Sequence, residues 1–285
     1  MKKVIRLLKI VFIVIAVILA GLFLDILISQ KILIKTYYKY NSTKLTNSIV
    51  AVQLTDLHNY QFGKDNSRLV QKVREVQPDV IFMTGDMINE YETRNDIIIN
   101  LIEKLKDVAP IYISLGNHED AYIKNENNDS LIQLMEKAGA VVLEEEYIDT
   151  LINDQEVRIG GLFGYVFAET YMDGSEQRFM EEFQNTDRFK ILLSHVPEGL
   201  LLWKSMEYWK VDLVFSGHVH GGQVRIPFIG GLYDPEEGFF PTYTKGMFQC
   251  GNGTMILSAG LGSSRGIPRV NNLPEIVVCV MGGSQ

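Results

Sequence analysis

From residue 10 to residue 24 the chain is apolar without interruption, and past Asp25 the run resumes through Ile26, Leu27 and Ile28. A membrane-spanning helix needs about 20 such residues. Lys2, Lys3, Arg6 and Lys9 precede the run. A cleaved signal peptide shares the basic start but has a shorter apolar stretch and a small-residue cleavage site. Ala20-Gly21 is the one candidate for such a site, and it lies inside the run. Residues 1–30 are therefore read as an uncleaved N-terminal membrane anchor, a single transmembrane helix. Lys31, Lys35, Lys39 and Lys44 follow it, so the positive-inside rule discriminates weakly. The four bases before the run sit closer to it, which favours a single-pass cell-membrane protein with its N-terminus inside and its domain extracytoplasmic. Residues 31–47 are polar and rich in Lys and Tyr, and read as a juxtamembrane linker, with Tyr37, Tyr38 and Tyr40 suited to the interface.

From residue 48 the pattern becomes strand, helix, strand. The β-branched run at 48–54 ends at Thr55-Asp56. Leu69, Val70, Val73 and Val76 follow helical spacing, with Asp65, Asn66 or Ser67 as caps and Pro78 as a stop. An apolar strand at 80–83 ends at Thr84-Gly85-Asp86. Ile97, Ile98, Leu101, Ile102, Leu105 and Val108 form a second helical face. A strand at 111–115 ends at Gly116-Asn117-His118, and later strands are expected at 140–143, 157–162, 189–193, 211–215, 254–258 and 275–280. Strands separated by helices imply an α/β fold with a largely parallel core. No repeat or second linker divides residues 48–285, which are read as one domain.

Composition sharpens this. The first 44 residues hold eight Lys or Arg and one acid, leaving 19 basic and 34 acidic residues in the remainder, a net of −15. So acidic a domain is a poor partner for nucleic acid, whereas the basic start suits anionic lipid. Two Cys exclude a disulfide-stapled scaffold or a Cys-rich zinc module, and Cys250 and Cys279 are read as buried free thiols in preference to a pair.

The chemistry-bearing residues stand where the strands end. Asp56 and His58 follow the first strand, Asp86 the second, Asn117 and His118 the third. His195 follows the strand at 189–193, and His218 and His220 follow that at 211–215. All five His of the domain belong to this set. Ligands of open α/β sheets collect at the carboxyl ends of strands, so these positions converge on one crevice. Taken singly, each has an ordinary reading as a turn, cap or packed residue. Together they offer hard oxygen and borderline nitrogen, which suits Mn, Fe or Zn. Two carboxylates with several imidazoles exceed what one tetrahedral zinc requires, and point to two divalent metal ions sharing a carboxylate.

The order D-x-H at Asp56 and His58, G-D at Gly85 and Asp86, G-N-H-E at 116–119, a lone His195 and G-H-x-H at 217–220 resembles the calcineurin-like metallophosphoesterase superfamily. The segment G-H-V-H-G-G-Q-V-R at 217–225, with the late S-R-G-I-P-R and P-E-I segments, is similar to its membrane-anchored bacterial branch of UDP-2,3-diacylglucosamine pyrophosphohydrolase-like and wall-associated phosphoesterases. The resemblance implies a four-layer α/β/β/α sandwich of two mixed sheets. It also implies that Asp56, His58 and His220 bind one metal, that Asn117, His195 and His218 bind the other, and that Asp86 bridges them. It places the non-ligand His118 over the substrate phosphate as a catalytic residue that stabilises developing charge or protonates the leaving oxygen. The implied activity is hydrolysis of a phosphomonoester, phosphodiester or pyrophosphate bond, with water activated by the metal pair for in-line attack. A lipid-linked or cell-envelope phosphate ester suits the anchor.

Several features stay open. Glu119 is either a support for a ligating His or a surface acid. Gly221-Gly222-Gln223 is a tight turn that presents Gln223 or Arg225 to substrate, although Arg225, Arg265 and Arg269 are equally suited to surface ion pairs. Glu144, Glu145 and Glu146 read as a solvated loop. Phe228, Tyr233, Phe239, Phe240 and Tyr243 are either packed loop aromatics or an apolar wall for a substrate. A non-catalytic anchored binding module, or a metal-dependent hydrolase of a non-phosphate bond, are the competing functions. The metal's identity, the substrate and the oligomeric state are not specified by the residues.

Overall fold

The computed structural model describes residues 2–92, 94–126, 130–162, 174–234, 236–263 and 268–283. Its first element is α1 (Lys2–Ser29), whose apolar side chains lie exposed along nearly its whole length. At 1.5 Å per residue it is about 42 Å long, more than a bilayer's hydrocarbon thickness of ~30 Å.

Two six-stranded sheets follow. The first has the order β1 (Ile34–Asn41), β16 (Glu275–Gly282), β2 (Ile49–Leu54), β3 (Val80–Thr84), β4 (Ile111–Ser114) and β5 (Ala140–Leu143). β2 to β5 run parallel, while β16 is antiparallel to β2 and parallel to β1. The second has the order β14 (Gly246–Cys250), β15 (Gly253–Leu257), β9 (Leu213–Ser216), β8 (Phe189–Ser194), β7 (Gln155–Leu162) and β6 (Glu146–Ile152). Its inner strands are parallel and its edge strands β6 and β14 antiparallel to their neighbours. The sheets are mixed, so the expected largely parallel core holds only for their centres.

The alternation of side chains explains why the inner strands are apolar throughout. Val80 and Phe82 of β3 enter the core between the sheets, with Phe189, Ile191, Leu213 and Phe215 from the facing sheet. Ile81 and Met83 point the other way, against α2 (Ser67–Arg74), α3 (Asp96–Leu105) and α5 (Ser130–Ala138). On the outer face of the second sheet Leu192 and Val214 meet α6 (Gly174–Gln184) and α7 (Glu198–Leu201). The result is the four-layer α/β/β/α sandwich. Cys250 and Cys279 are buried free thiols, whose pKa values burial pushes up to about 11 and about 12.

Residues 31–47 are not a linker. Ile34 to Asn41 pair with β16 along their whole length. Tyr38 and Tyr40 are half-buried against the inter-sheet core, and Tyr40 Oη donates to the Asp212 carbonyl at 3.2 Å. Tyr37 and Lys39 face solvent, which gives this edge strand its polar appearance. Glu146, expected in a loop, begins β6.

β16 runs antiparallel to β2, with Val277 opposite Gln53, so its Glu275 end lies beside the carboxyl end of β2. β1 starts there, with Ile34 opposite Glu275. α1 therefore joins the domain at the end of the sandwich where the parallel strands terminate. Asp25 Oδ2 accepts from the Asn271 amide at 2.6 Å, Tyr60 Oη donates to the Gln30 carbonyl at 2.8 Å, and Arg68 Nη2 donates to the Lys31 carbonyl at 3.0 Å.

Candidate metal centre

The expected donors meet at that end. β2 leads into Asp56 and His58, β3 into Asp86, β4 into Asn117 and His118 at the start of α4 (Asn117–Glu126), β8 into His195, and β9 into His218 and His220. The backbone turns abruptly after each parallel strand. Asp56, His58, Asp86, His218 and His220 all have positive φ, between 47° and 74°. Such conformations cost on the order of 1–3 kcal/mol each and persist only where the surroundings enforce them. Gly85 has φ 79°, and a Cβ there would lie 2.7 Å from both Gly116 Cα and His195 Nδ1, so the loops after β3, β4 and β8 close on one another only with glycine.

Two donor triplets form, and Asp86 stands between them. Asp56, His58 and His220 gather within 4.8 Å of one another, as do Asp86, His195 and His218. Asn117 Oδ1 is 2.9 Å from His218 Nδ1, which places it at the second triplet. Asp86 Oδ2 is 3.2 Å from His195 Nε2, 3.7 Å from His58 Nε2 and 3.9 Å from His118 Nε2. His58 Nε2 and His220 Nε2 face each other at 3.2 Å.

The imidazoles differ in what their second nitrogen does. His195 Nδ1 lies 2.7 Å from the Thr84 carbonyl, an acceptor, so Nδ1 carries a proton. His195 Nε2 is buried and faces Asp86 Oδ2 at 3.2 Å, and it offers a lone pair to the crevice when the ring is neutral. His118 is the opposite. Its Nδ1 accepts the Glu90 amide at 3.2 Å, so the proton of the neutral ring sits on Nε2, which faces Asp86. His118 is thus arranged as a donor, although His58, Asp86 and His118 also form a compact triplet.

Electrostatics support a cation site. Asp56 is fully buried, and burial with the like charge of Asp86 pushes its pKa up to about 7. Burial would push Asp86 up as well, yet the surrounding imidazoles, His195 foremost, hold it well below the carboxylate range. Burial lowers His58 to about 3 and His220 well below its ordinary value, leaving both neutral. Burial also acts to lower His195, but its contact with Asp86 carries it up to about 10. Two buried carboxylates, a buried His195 Nε2 facing one of them, and clustered imidazole nitrogens with no thiolate fit divalent cations such as Mn, Zn or Fe.

Supports for the loops were only partly visible in the sequence. Glu119 is neither a surface acid nor a partner of a ligating His. It is buried, and its carboxylate accepts from the amides of Asp86, Met87, Ile88 and Gly116 at 2.7 to 3.0 Å. It thereby fixes the turn that carries Asp86. Arg269 is also buried. Its Nε donates to the Gly262 carbonyl at 2.8 Å and its Nη2 to the Ala259 carbonyl at 2.7 Å, while Nη2 stands 3.5 Å from His220 Nδ1. Asn272, not singled out by any motif, donates to the His220 carbonyl at 2.7 Å.

The two expected substrate contacts are engaged within the loop. Arg225 Nη1 donates to the Gly221 carbonyl at 2.7 Å and to Thr244 Oγ1 at 2.9 Å. Gln223 Nε2 donates to Ser263 Oγ at 2.9 Å. Arg265 lies outside the described residues.

The sequence profile of the calcineurin-like phosphoesterases matches residues 49–222, which takes in all seven expected donors and His118. The uncharacterized metallophosphoesterase YkuE of Bacillus subtilis is 31% identical over 232 residues, covering 80% of this chain and 77% of that protein. Phosphodiesterase YaeI of Escherichia coli is 26% identical over 205 residues, covering 72% of this chain and 70% of that protein. Among solved structures, phosphopantetheinyl hydrolase from Mycobacterium tuberculosis aligns with a TM-score of 0.46 at 13% identity, over 79% of this chain and 92% of that one. With the profile covering more than half of the chain and its donors gathered at one crevice, the chain belongs to the calcineurin-like phosphoesterase family and is a metal-dependent phosphoric ester hydrolase.

Proposed function

We propose that the protein is a membrane-anchored two-metal phosphodiesterase whose substrate is presented at the membrane surface. The observation that carries this reading is the position of Asp86, within 4 Å of imidazoles from three other loops. In this reading Asp56, His58 and His220 hold one cation, Asn117, His195 and His218 hold the second, and Asp86 serves both. Such a pair supplies an activated water and neutralises phosphate oxygens. His118, with its Nε2 proton directed into the crevice, stabilises charge on phosphate or protonates the leaving oxygen. Glu119 keeps Asp86 in place through its backbone. The phosphodiesterase among the relatives puts diesters ahead of monoesters and pyrophosphates.

The anchor supports the rest of the reading. α1 meets the domain at the metal end, and a cavity of about 190 Å³ lies between the anchor's last residue turn and the metal loops, lined by Gln30, Tyr60, Leu261, Pro268, Arg269 and Pro274. It offers a phosphate ester carried by a lipid or envelope polymer a short route to the donors. Orientation with the domain extracytoplasmic follows from the tighter basic cluster at residues 2–9.

Full-length protein in detergent, loaded with Mn, Zn or Fe, tests the reading on bis(p-nitrophenyl) phosphate and p-nitrophenyl phosphate. The reading expects metal-dependent turnover with the diester preferred. A preference for the monoester, or turnover that a chelator does not affect, would overturn it.

A further inference from the structure

Past the last His donors the chain forms two small hairpins. The first pairs β10 (Arg225–Ile226) with β11 (Gly230–Gly231), and the second pairs β12 (Tyr233–Asp234) with β13 (Gly238–Phe239). The tip of the first holds Pro227, Phe228 and Ile229. Phe228 is 109% exposed and Ile229 64%. Phe239 and Phe240, at the root of the second hairpin, are exposed at 72% and 57%. Large apolar side chains exposed at one hairpin tip and at the root of the next are costly in water and mark a surface made for another phase.

The root of the first hairpin lies beside the apolar helix. The Arg225 amide donates to the Val270 carbonyl at 2.9 Å, and Asn271 Nδ2 donates to the Arg225 carbonyl at 3.2 Å. The same Asn271 donates its amide to Asp25, within the last two turns of α1. The hairpin therefore springs from the place where the apolar helix meets the domain. Asp25 lies four residues from the end of α1, about 6 Å along the axis. Lys31 and Arg68 stand beside this junction and suit anionic head groups.

We infer that the Phe228–Ile229 hairpin tip inserts into the lipid bilayer beside α1, as a second contact that holds the metal centre against the membrane surface. The inference rests on α1 being membrane-embedded, and goes beyond it: a tether alone leaves the domain free to tumble, whereas two contacts fix the crevice toward the lipid.

The test uses full-length protein in vesicles of phosphatidylcholine and phosphatidylglycerol. A single environment-sensitive nitrobenzoxadiazole label is placed at Phe228→Cys, at Phe12→Cys within α1, or at Leu151→Cys. Leu151 is 65% exposed and lies in the β6–β7 hairpin, at the opposite end of the sandwich from the donors. Both native cysteines are buried, and labelled wild-type protein supplies the background. The inference expects blue-shifted emission at positions 12 and 228 that spin-labelled lipid quenches, and water-like, unquenched emission at 151. Water-like emission at 228 with quenching at 12 would overturn the hairpin inference while leaving the anchor intact. Blue-shifted emission at 228 that spin-labelled lipid leaves unquenched would overturn it in favour of a protein contact. No quenching at 12 would overturn the anchor and the hairpin inference together.

Discussion

The two ends of the sandwich are built from the same strands and treat polar groups in opposite ways. At the end remote from the donors, polar side chains find partners within the protein. The Thr46 amide donates to Gln155, the Val50 amide donates to Asp79, Lys44 pairs with Asp212 at 2.8 Å, and Asn153 donates to the Ser48 carbonyl. At the donor end supports such as Glu119 and Asn272 are satisfied, but other buried polar groups are not. Among the described residues, His58 Nδ1 and both carboxylate oxygens of Glu198 are buried without hydrogen-bond partners, and Asp56 and Asp86 are buried together. Buried polar groups are normally satisfied, and carboxylates are kept in the interior only when paired or bound to cations. One end of the fold is finished by its own side chains, and the other keeps buried polar atoms that cations and substrate would complete.

Four changes test that contrast, from the largest effect to the smallest. Asp86→Ala removes the carboxylate that His58, His118 and His195 all face and is expected to abolish turnover and lower bound metal, measured by elemental analysis alongside diester hydrolysis. Wild-type activity in that variant would show that the carboxylate is not shared. His118→Ala should cost roughly 10²–10⁴-fold in kcat while metal content is retained, as for loss of a general acid. A parallel loss of metal would make His118 a ligand instead. Glu119→Gln, which leaves one amide-facing oxygen and disturbs the Asp86 turn, should reduce metal affinity or activity by roughly 10–100-fold. At the remote end, Lys44→Ala should leave activity unchanged and lower stability by no more than about 1 kcal/mol, because the pair is partly exposed.

A fifth prediction concerns pH. Burial, with the charges of Asp234 and Glu236 nearby, raises the Glu198 pKa from 4.5 to about 7. The folded state then holds a proton that the unfolded chain releases above about pH 4.5, so this group removes stability progressively between pH 4.5 and 7, and the loss is complete above that window. Glu198→Gln should therefore raise the melting temperature more at pH 8 than at pH 5. An equal shift at both values would mean that Glu198 is ionised in the fold and paired.

Legibility in the sequence followed the same divide. The inner strands β2, β3, β4 and β8 are buried on both faces, so their unbroken apolar runs stood out, and the donors followed directly at their ends. β1 escaped because an edge strand shows half its residues to water, and the sequence from Ile34 to Asn41 looks like a polar connector. The largely parallel core and the mixed sheets were both legible, but the antiparallel direction of β6, β14 and β16 was not, because it depends on tertiary contacts rather than on local pattern. Glu119 was legible as a possible support for a ligating His but not as the support of the Asp86 turn, because its partners are four backbone amides that carry no sequence signature. Arg225 pointed to phosphate by type, and the contacts of its Nη1 with Thr244 and the Gly221 carbonyl carry no sequence signature.

The central claim is that the donors form one two-metal centre with Asp86 in common. Metal content per full-length chain, determined after loading with Mn and measured on the same sample as phosphodiester hydrolysis, tests it most directly. The account predicts close to two ions per chain, falling together with turnover in Asp86→Ala. A folded wild-type chain that binds a single ion at full activity, or binds none, would contradict it.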